Sequence, residues 1–389
     1  MGRRPPARGR RTPMSGRVLL ASRRGMEEKV WQASQLEFED VVAEVDDVEW
    51  CLPRPLGGGP AVHLAHGALN RAGQRWGRDR RARMRAPADG GGGGRADLFF
   101  AVLADANEIG MLPHVTATTH RAEARVAWIV ELWTPQLAQV SDYLRQLRGF
   151  DHVIVSNRAV VDAVREIAGV PCTYLPLAVD TDRYAPPAPD FPARSVDVAS
   201  WGRRFAGTHE PLVRAMANHE LFYHFDTVKG PWSVTGHAEH RLAQARLLQR
   251  TRYSIVYRIN DEEGRTDRTG GEESLTNRYF EALSAGTIML GTAPASVEWD
   301  DCFGWPDAVV PIPVPAPGIV EVIRELDRDP DRLERARVAA VTTFLRRHDW
   351  AHRWRDVLNL VGLEPHPRLT ARLAHLEHRL SAWETRVPS

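Results

Sequence analysis

Glu273 and Glu281 stand eight residues apart in the stretch GGEESLTNRYFEALSAGTIMLGTAP, residues 270–294. A carboxylate at each end of that spacing can accept hydrogen bonds from hydroxyl groups. If the residues between are helical, the two lie on the order of 12 Å apart. Ser274 or Thr276 can cap such a helix, and Gly286 can end it before the apolar run TIMLGT. The free backbone N–H groups at the helix start, with the positive end of the dipole, favour a phosphate. Hydroxyl site, phosphate site and second hydroxyl site, in that order, match a sugar joined through a diphosphate to a nucleoside. Taken alone the spacing is weak, because two acids eight apart also arise as ordinary helix-start and solvent-face residues.

The elements that must position this stretch are readable along the chain. With 389 residues, 43% hydrophobic and 26% charged, the chain is long enough for two domains with separate cores. RVLLAS (17–22), DLFFAVLA (97–104), RVAWIVEL (125–132) and HVIVS (152–156) are apolar runs of strand length, with helix-period stretches between several of them. That alternation predicts a parallel sheet covered by helices. YAPPAPDFPARS (184–195) reads as a linker, because proline continues neither sheet nor helix. VDVASWG, ELFYHFD, YSIVYRI and TIMLGT then form a second alternating series. The predicted division is residues 1–16 as a disordered Arg-rich terminus and 17–183 as the first domain, with 71–95 a flexible basic Gly-rich loop. Residues 184–195 follow as linker, 196–363 as the second domain and 364–389 as a helical tail. In open parallel sheets ligands bind outside the carboxyl ends of the strands, which puts residues 270–294 at the mouth of the cleft between the domains.

Composition removes several function classes. Residues 1–17 hold six Arg and no acid, residues 71–85 hold seven Arg against Asp79 alone, and the remainder of the chain is net acidic. A folded basic face of the kind that binds nucleic acid is therefore not predicted. Cys51, Cys172 and Cys302 are far apart and show no metal-ligand spacing. No window is apolar enough for a transmembrane segment, and the Arg-rich start lacks the apolar middle of a signal peptide, so the expectation is a cytoplasmic protein, or one peripheral at the membrane. Asp180 and Asp182 form a D-x-D pair, but inside the segment that joins the two series, and no metal is expected there. His63 and His66 are read as surface or core histidines rather than bases. GGGGG at 90–94 is no dinucleotide fingerprint, which disfavours a dehydrogenase.

Three segments, in the same order, resemble the GT-B glycosyltransferases, most closely the family 4 type and the related spore-protein-type glycosyltransferases. The donor motif E-x7-E followed by A-x-x-x-G and an apolar strand is matched by Glu273, Glu281, Ala282, Gly286 and IMLG. HVIVSNRAVVDAVREIAGVPCTYLPLAVDTDRYAP (152–186) is similar to the family's crossing into the second domain, with Pro176, Val179, Asp180, Tyr184 and Pro186 in place. VDVASWGRR (196–204) is similar to the strand and Gly-Arg that open the nucleotide-binding domain. The resemblance implies a GT-B fold, two Rossmann-like doubly wound domains facing across a cleft, and transfer of a sugar from a nucleotide-sugar donor. The donor is a substrate, so no cofactor is implied.

By the same resemblance Glu281 holds the ribose hydroxyls, Glu273 a hydroxyl of the donor sugar, and Arg203 with Arg204 the diphosphate. Gly202, Arg258, Ser274, Leu275, Thr276 and Arg278 complete the implied donor site. The family's usual Lys after Gly-Arg is missing from RRFAGTHE, Ala178 replaces the usual Gly, and Leu275-Thr276 replaces Phe-Gly. Arginine can take the place of that Lys, since a guanidinium binds phosphate through two donors. The motif is associated with metal-independent transfer and retention of anomeric configuration. An inverting, fucosyltransferase-like enzyme would need a base from the first domain, with Glu131, Asp105 and Glu108 the acids at strand ends. The same architecture would also suit a sugar-nucleotide epimerase, or a non-catalytic nucleotide-sugar-binding or scaffold protein that kept the fold without turnover. The acceptor, whether glycan, lipid-linked or small molecule, is not readable. In the tail, Leu369, Leu373, Leu376, Leu380 and Trp383 make one apolar seam. It either packs within the chain or pairs with a second copy as a homodimer.

Overall fold

The computed structural model describes residues 16–25, 30–55, 82–84, 95–115, 121–187, 189–226 and 236–385. His63, His66, the Gly run and most of the basic 71–95 loop lie outside the described residues.

Strands β1 (Val18–Ala21) and β2 (Val48–Cys51) belong to the first sheet, and β3 (Pro53–Pro55) and β4 (Ala82–Met84) form a separate antiparallel ribbon. The first sheet continues with β5 (Ala96–Asp105), β6 (Ala122–Glu131), β7 (His152–Val155) and β8 (Cys172–Tyr174). Its six strands are all parallel, in the order β2-β1-β5-β6-β7-β8. The second sheet holds β9 (Val196–Ser200), β10 (Tyr223–Phe225), β11 (Thr251–Val256), β12 (Ile288–Gly291) and β13 (Val310–Pro311), again all parallel, in the order β10-β9-β11-β12-β13. Runs such as FFAVLA and IMLG are apolar throughout because both faces of a parallel sheet are covered. In each sheet the strand order reverses beside the first strand, at β1/β5 and at β9/β11, and a crevice opens there.

The helices are α1 (Ala33–Val45), α2 (Leu137–Leu144) and α3 (Val161–Ala168) in the first half. In the second they are α4 (Ala206–Ala217), α5 (His237–Gln249), α6 (Asn277–Ser284), α7 (Val297–Phe303), α8 (Ile319–Leu326) and α9 (Pro330–Arg347). The last two, α10 (Trp350–Leu360) and α11 (Pro367–Glu384), return to the first domain. Trp350 and Trp354 pack against Phe38 at 5.2 and 6.4 Å, and Trp354 meets Phe100 at 5.4 Å. Their indole N–H groups donate to Glu37 and Asp46. Although the sequence assigns residues up to 363 to the second domain, α10 completes the core of the first, an attachment that periodicity cannot reveal.

The described part of residues 184–195 is fixed at Phe191 and Arg194. Phe191 packs against Trp383 with ring centroids 4.8 Å apart, and the Arg194 guanidinium donates to the carbonyls of Leu248, Thr251, Ala285 and Gly286. The apolar seam of α11 packs within the chain: Leu369, Leu376, Leu380 and Trp383 are buried, with α1, α9 and α10 as neighbours. The homodimer surface read into that seam is therefore already covered. Asp180 and Asp182 receive arginines from the same helix, Arg372 at 2.7 Å and Arg379 at 2.7 Å.

Candidate active site

The crevice of the second domain lies where β9 and β11 end and the loop before α6 comes back past them. After Ser200 the chain turns at Gly202, with φ of +76°, and an added Cβ would come within 3.3 Å of Arg278 Nη1. Glycine lets the turn lie against that guanidinium. Arg278 donates to the Trp201 carbonyl at 3.3 Å, and Arg203 donates to the Tyr257 carbonyl at 3.0 Å, with its Nε 3.4 Å from Glu262. Burial, helped by the nearby Arg278 charge, lowers the affinity of Arg203 for its proton, to a pKa of about 10. Burial likewise pulls Arg278 below the usual arginine range. Two half-buried guanidiniums that repel each other gain from an anion between or beside them.

Arg204 turns the other way, pairing with Asp226 and lying over the Phe225 ring at 5.4 Å. Asp226 also accepts from the Gly202 amide at 3.1 Å, so Arg204 and Asp226 hold the turn. Arg258 is bound to Asp261 through Nη2 at 2.7 Å and Nε at 3.1 Å, and its Nη1 lies 3.6 Å from Glu273. Glu273 accepts from Asn260 Nδ2 at 3.3 Å through Oε1. Burial pushes its carboxyl above the ordinary glutamate range, against the pull of Asn260 and Arg258.

Four buried polar atoms around this crevice have no partner: Glu273 Oε2, Thr276 Oγ1, Asn277 Oδ1 and Trp201 Nε1. Thr276 occupies the cap position of α6, yet its side chain does not cap. Leaving such atoms unpaired costs about 1–3 kcal/mol each, so their presence in the loop and first turn of α6 suits a polar ligand at that helix start. Ser274 is half-buried beside them, whereas the Leu275 side chain enters the core and leaves only its backbone to the site.

Glu281 departs from the role the sequence implies. It is buried in α6, and its two oxygens accept from Arg241 and, at 2.9 Å, from Gln244. Arg241 is in turn bound to Glu37 of the first domain, so Glu281 ends a chain of buried charges rather than facing the crevice. Glu131, at the end of β6, is paired with Arg268 at 2.5 Å and accepts from Trp133 Nε1 at 3.2 Å. Asp105 is occupied by Asn107, and Glu108 by Arg23 and the Ala104 amide; burial raises the Glu108 carboxyl to about 7. Sequence reasoning missed Asn260, Asp226, Asp261 and Arg241, none of which falls in a recognisable motif. Among the described residues, no cluster of three or more His, Cys, Asp or Glu could hold a metal ion, and no helix is long and apolar enough to cross a membrane.

A glycosyl transferase-like family model matches residues 203–359, which hold most of the residues of this crevice. No curated protein matches the chain by sequence. Among solved structures, an alpha-glucosyltransferase in complex with UDP and a 13-mer DNA containing an HMU base superposes with a TM-score of 0.50 at 11% identity, covering 89% of this chain and 99% of that one. HepE of Anabaena in complex with UDP and glucose is also similar, with a TM-score of 0.47 at 11% identity, covering 90% and 100%. The chain has the two-domain GT-B architecture, and residues 203–359 are similar to the glycosyl transferase-like family.

Proposed function

We propose that this glycosyltransferase moves a sugar from a nucleotide-sugar donor, held in the β9/β11 crevice, to an acceptor hydroxyl. The observation that carries the reading is that Arg203, close enough to feel the charges of Arg278 and Glu273, stands with them beside a loop and helix start whose buried Glu273 and Thr276 oxygens have no partner. Arg203, Arg278 and the α6 N–H groups bind the diphosphate. As the bond from the anomeric carbon to phosphate oxygen breaks, negative charge gathers on the departing nucleotide, and preoriented donors stabilise it most at that moment. Glu273 accepts from a hydroxyl of the sugar and fixes its orientation. The acceptor oxygen forms the new bond and its proton passes to the departing phosphate, a course that retains configuration and draws charge stabilisation from arginine rather than from a metal.

UDP-sugars are the first donors to test, because the alpha-glucosyltransferase similar to this fold was solved with UDP. A panel of UDP-, GDP- and TDP-sugars, read as nucleotide release with and without simple glycoside acceptors, tests the reading. Turnover with one donor supports it, and NMR of the product anomer separates retention from inversion. Turnover of donor into an isomeric nucleotide-sugar without acceptor would identify an epimerase instead. Binding without any turnover would leave the protein a non-catalytic nucleotide-sugar binder.

A further inference from the structure

The loop that carries Glu273 also touches the other domain. Its neighbour Glu272 accepts from the Thr134 amide with both oxygens at 3.3 Å and from Asn157 Nδ2 at 2.7 Å. Asn157 is itself fixed, donating to the Leu132 carbonyl at 3.0 Å and accepting from the Ala159 amide at 3.1 Å. Two residues upstream Gly270, with φ of +67°, lies so close to Pro135 that an added Cβ would stand 2.9 Å from Pro135 Cγ. Two residues before that, Arg268 reaches Glu131. Residues 268–272 thus meet residues 131–135 and 157 through an ion pair, a close approach of Gly270 to Pro135 and a carboxylate that accepts from the Thr134 amide and from Asn157. None of this depends on the two covalent crossings between the domains.

We propose that Glu272 is a positioning residue, which grips the first domain and thereby sets how far the cleft closes over a sugar held by Glu273. Adjacent residues on one short loop then serve opposite partners: Glu273 faces the donor, Glu272 the acceptor-side domain. Placing the loop for one places it for the other, so occupation of the donor site and alignment of the acceptor side are linked. Water is kept from the activated sugar by the same contact. The proposal rests on the donor reading for its catalytic half, while the grip itself is a property of the ligand-free protein.

Glu272→Gln and Glu272→Ala remove charge or the whole contact, Asn157→Asp sets a second carboxylate against the first, and Gly270→Ala wedges the loop off Pro135. Small-angle scattering of the ligand-free protein measures the grip alone: each variant is expected to show a larger radius of gyration and a far-ultraviolet circular dichroism spectrum like the parent's. UDP affinity, by calorimetry, is expected to stay within about threefold, since no diphosphate contact is lost. With whichever donor turns over, kcat for transfer is expected to fall about tenfold or more while the share lost to hydrolysis rises, with Glu272→Gln milder than Glu272→Ala. Unchanged scattering in all four folded variants would overturn the grip. Expanded variants with an unchanged ratio of hydrolysis to transfer would overturn its role in positioning. Absence of turnover in the parent would count against the donor reading, with scattering still deciding the grip.

Discussion

Arg241, in α5 of the second domain, donates through Nε and Nη2 to the two oxygens of Glu37, in α1 of the first, at 3.1 and 2.9 Å. Burial works against its charge, but Glu37, Tyr184 and Glu281 outweigh that and hold the guanidinium protonated. Removing it leaves Glu281 buried without a cation and Glu37 with Arg183 alone. Arg241→Met is expected to lower unfolding free energy by about 3–5 kcal/mol, the cost of breaking a buried pair from one side. The urea midpoint with unchanged slope measures it. Glu281→Gln, which keeps the volume, is expected to destabilise measurably and to change UDP affinity little at temperatures where it is folded; a large loss of affinity with unaltered stability would return Glu281 to the ribose.

Arg203 and Arg278 carry the diphosphate in the proposed site, and Glu273 the sugar. Arg203→Ala and Arg278→Ala are each expected to weaken UDP binding by about 1.5–3 kcal/mol, the range for hydrogen bonds to a charged group. Glu273→Ala is expected to spare UDP affinity and lower kcat. Calorimetry with UDP beside steady-state rates separates the two patterns, and equal loss of affinity in all three would contradict the assignment.

Transfer is expected to survive excess EDTA, because the charge on the leaving group is met by guanidinium and helix N–H groups. A loss of rate restored by magnesium or manganese would place a cation at the diphosphate.

Glu39 gives the pH dependence a definite sign. It accepts from Ser22 at 2.5 Å and from Arg24 at 3.0 Å, yet burial outweighs these and raises its carboxyl to about 7. The folded protein then holds this proton more tightly than the unfolded chain, whose glutamate titrates near 4.5. Stability from this group is present below about 4.5 and is lost as pH rises to about 7. The difference in melting temperature between Glu39→Gln and the parent is therefore expected to shift in favour of the variant from pH 5 to pH 7.5. Taking the difference cancels groups common to both, among them His348, which burial and Arg353 keep neutral. A difference flat in pH would refute the assignment.

Much of the architecture is legible because parallel strands buried on both faces write unbroken apolar runs, and these mark both sheets. The α6 start is legible for a related reason: a capping residue, an acid in the loop and a closing glycine are all local signals. What stays hidden is long-range. Glu281 looks like a cleft acid until Arg241, 40 residues earlier, is seen to reach it. Glu272 reads as an ordinary helix-start acid because Asn157 and Thr134, its partners, lie more than a hundred residues away. Arg372 and Arg379 reveal why Asp180 and Asp182 are acidic, and nothing in the D-x-D spacing distinguishes an arginine partner from a metal.

Trp350 and Trp354 complete a core begun by Phe38, Phe100 and Trp128, and α11 seals its edge. Synthesis runs from the amino terminus, so the first sheet is complete at Tyr174 well over a hundred residues before Trp350, where the pieces that finish its core begin. Domains generally fold as units during translation, the first-made first. Here the first-made domain cannot close until the last-made helices arrive, and its aromatic surface must wait in the open meanwhile. The second domain, whose strands are contiguous from Val196 to Pro311, has no such delay. The first domain is thus completed only after the second has been made, so the order of completion is inverted relative to the order of translation.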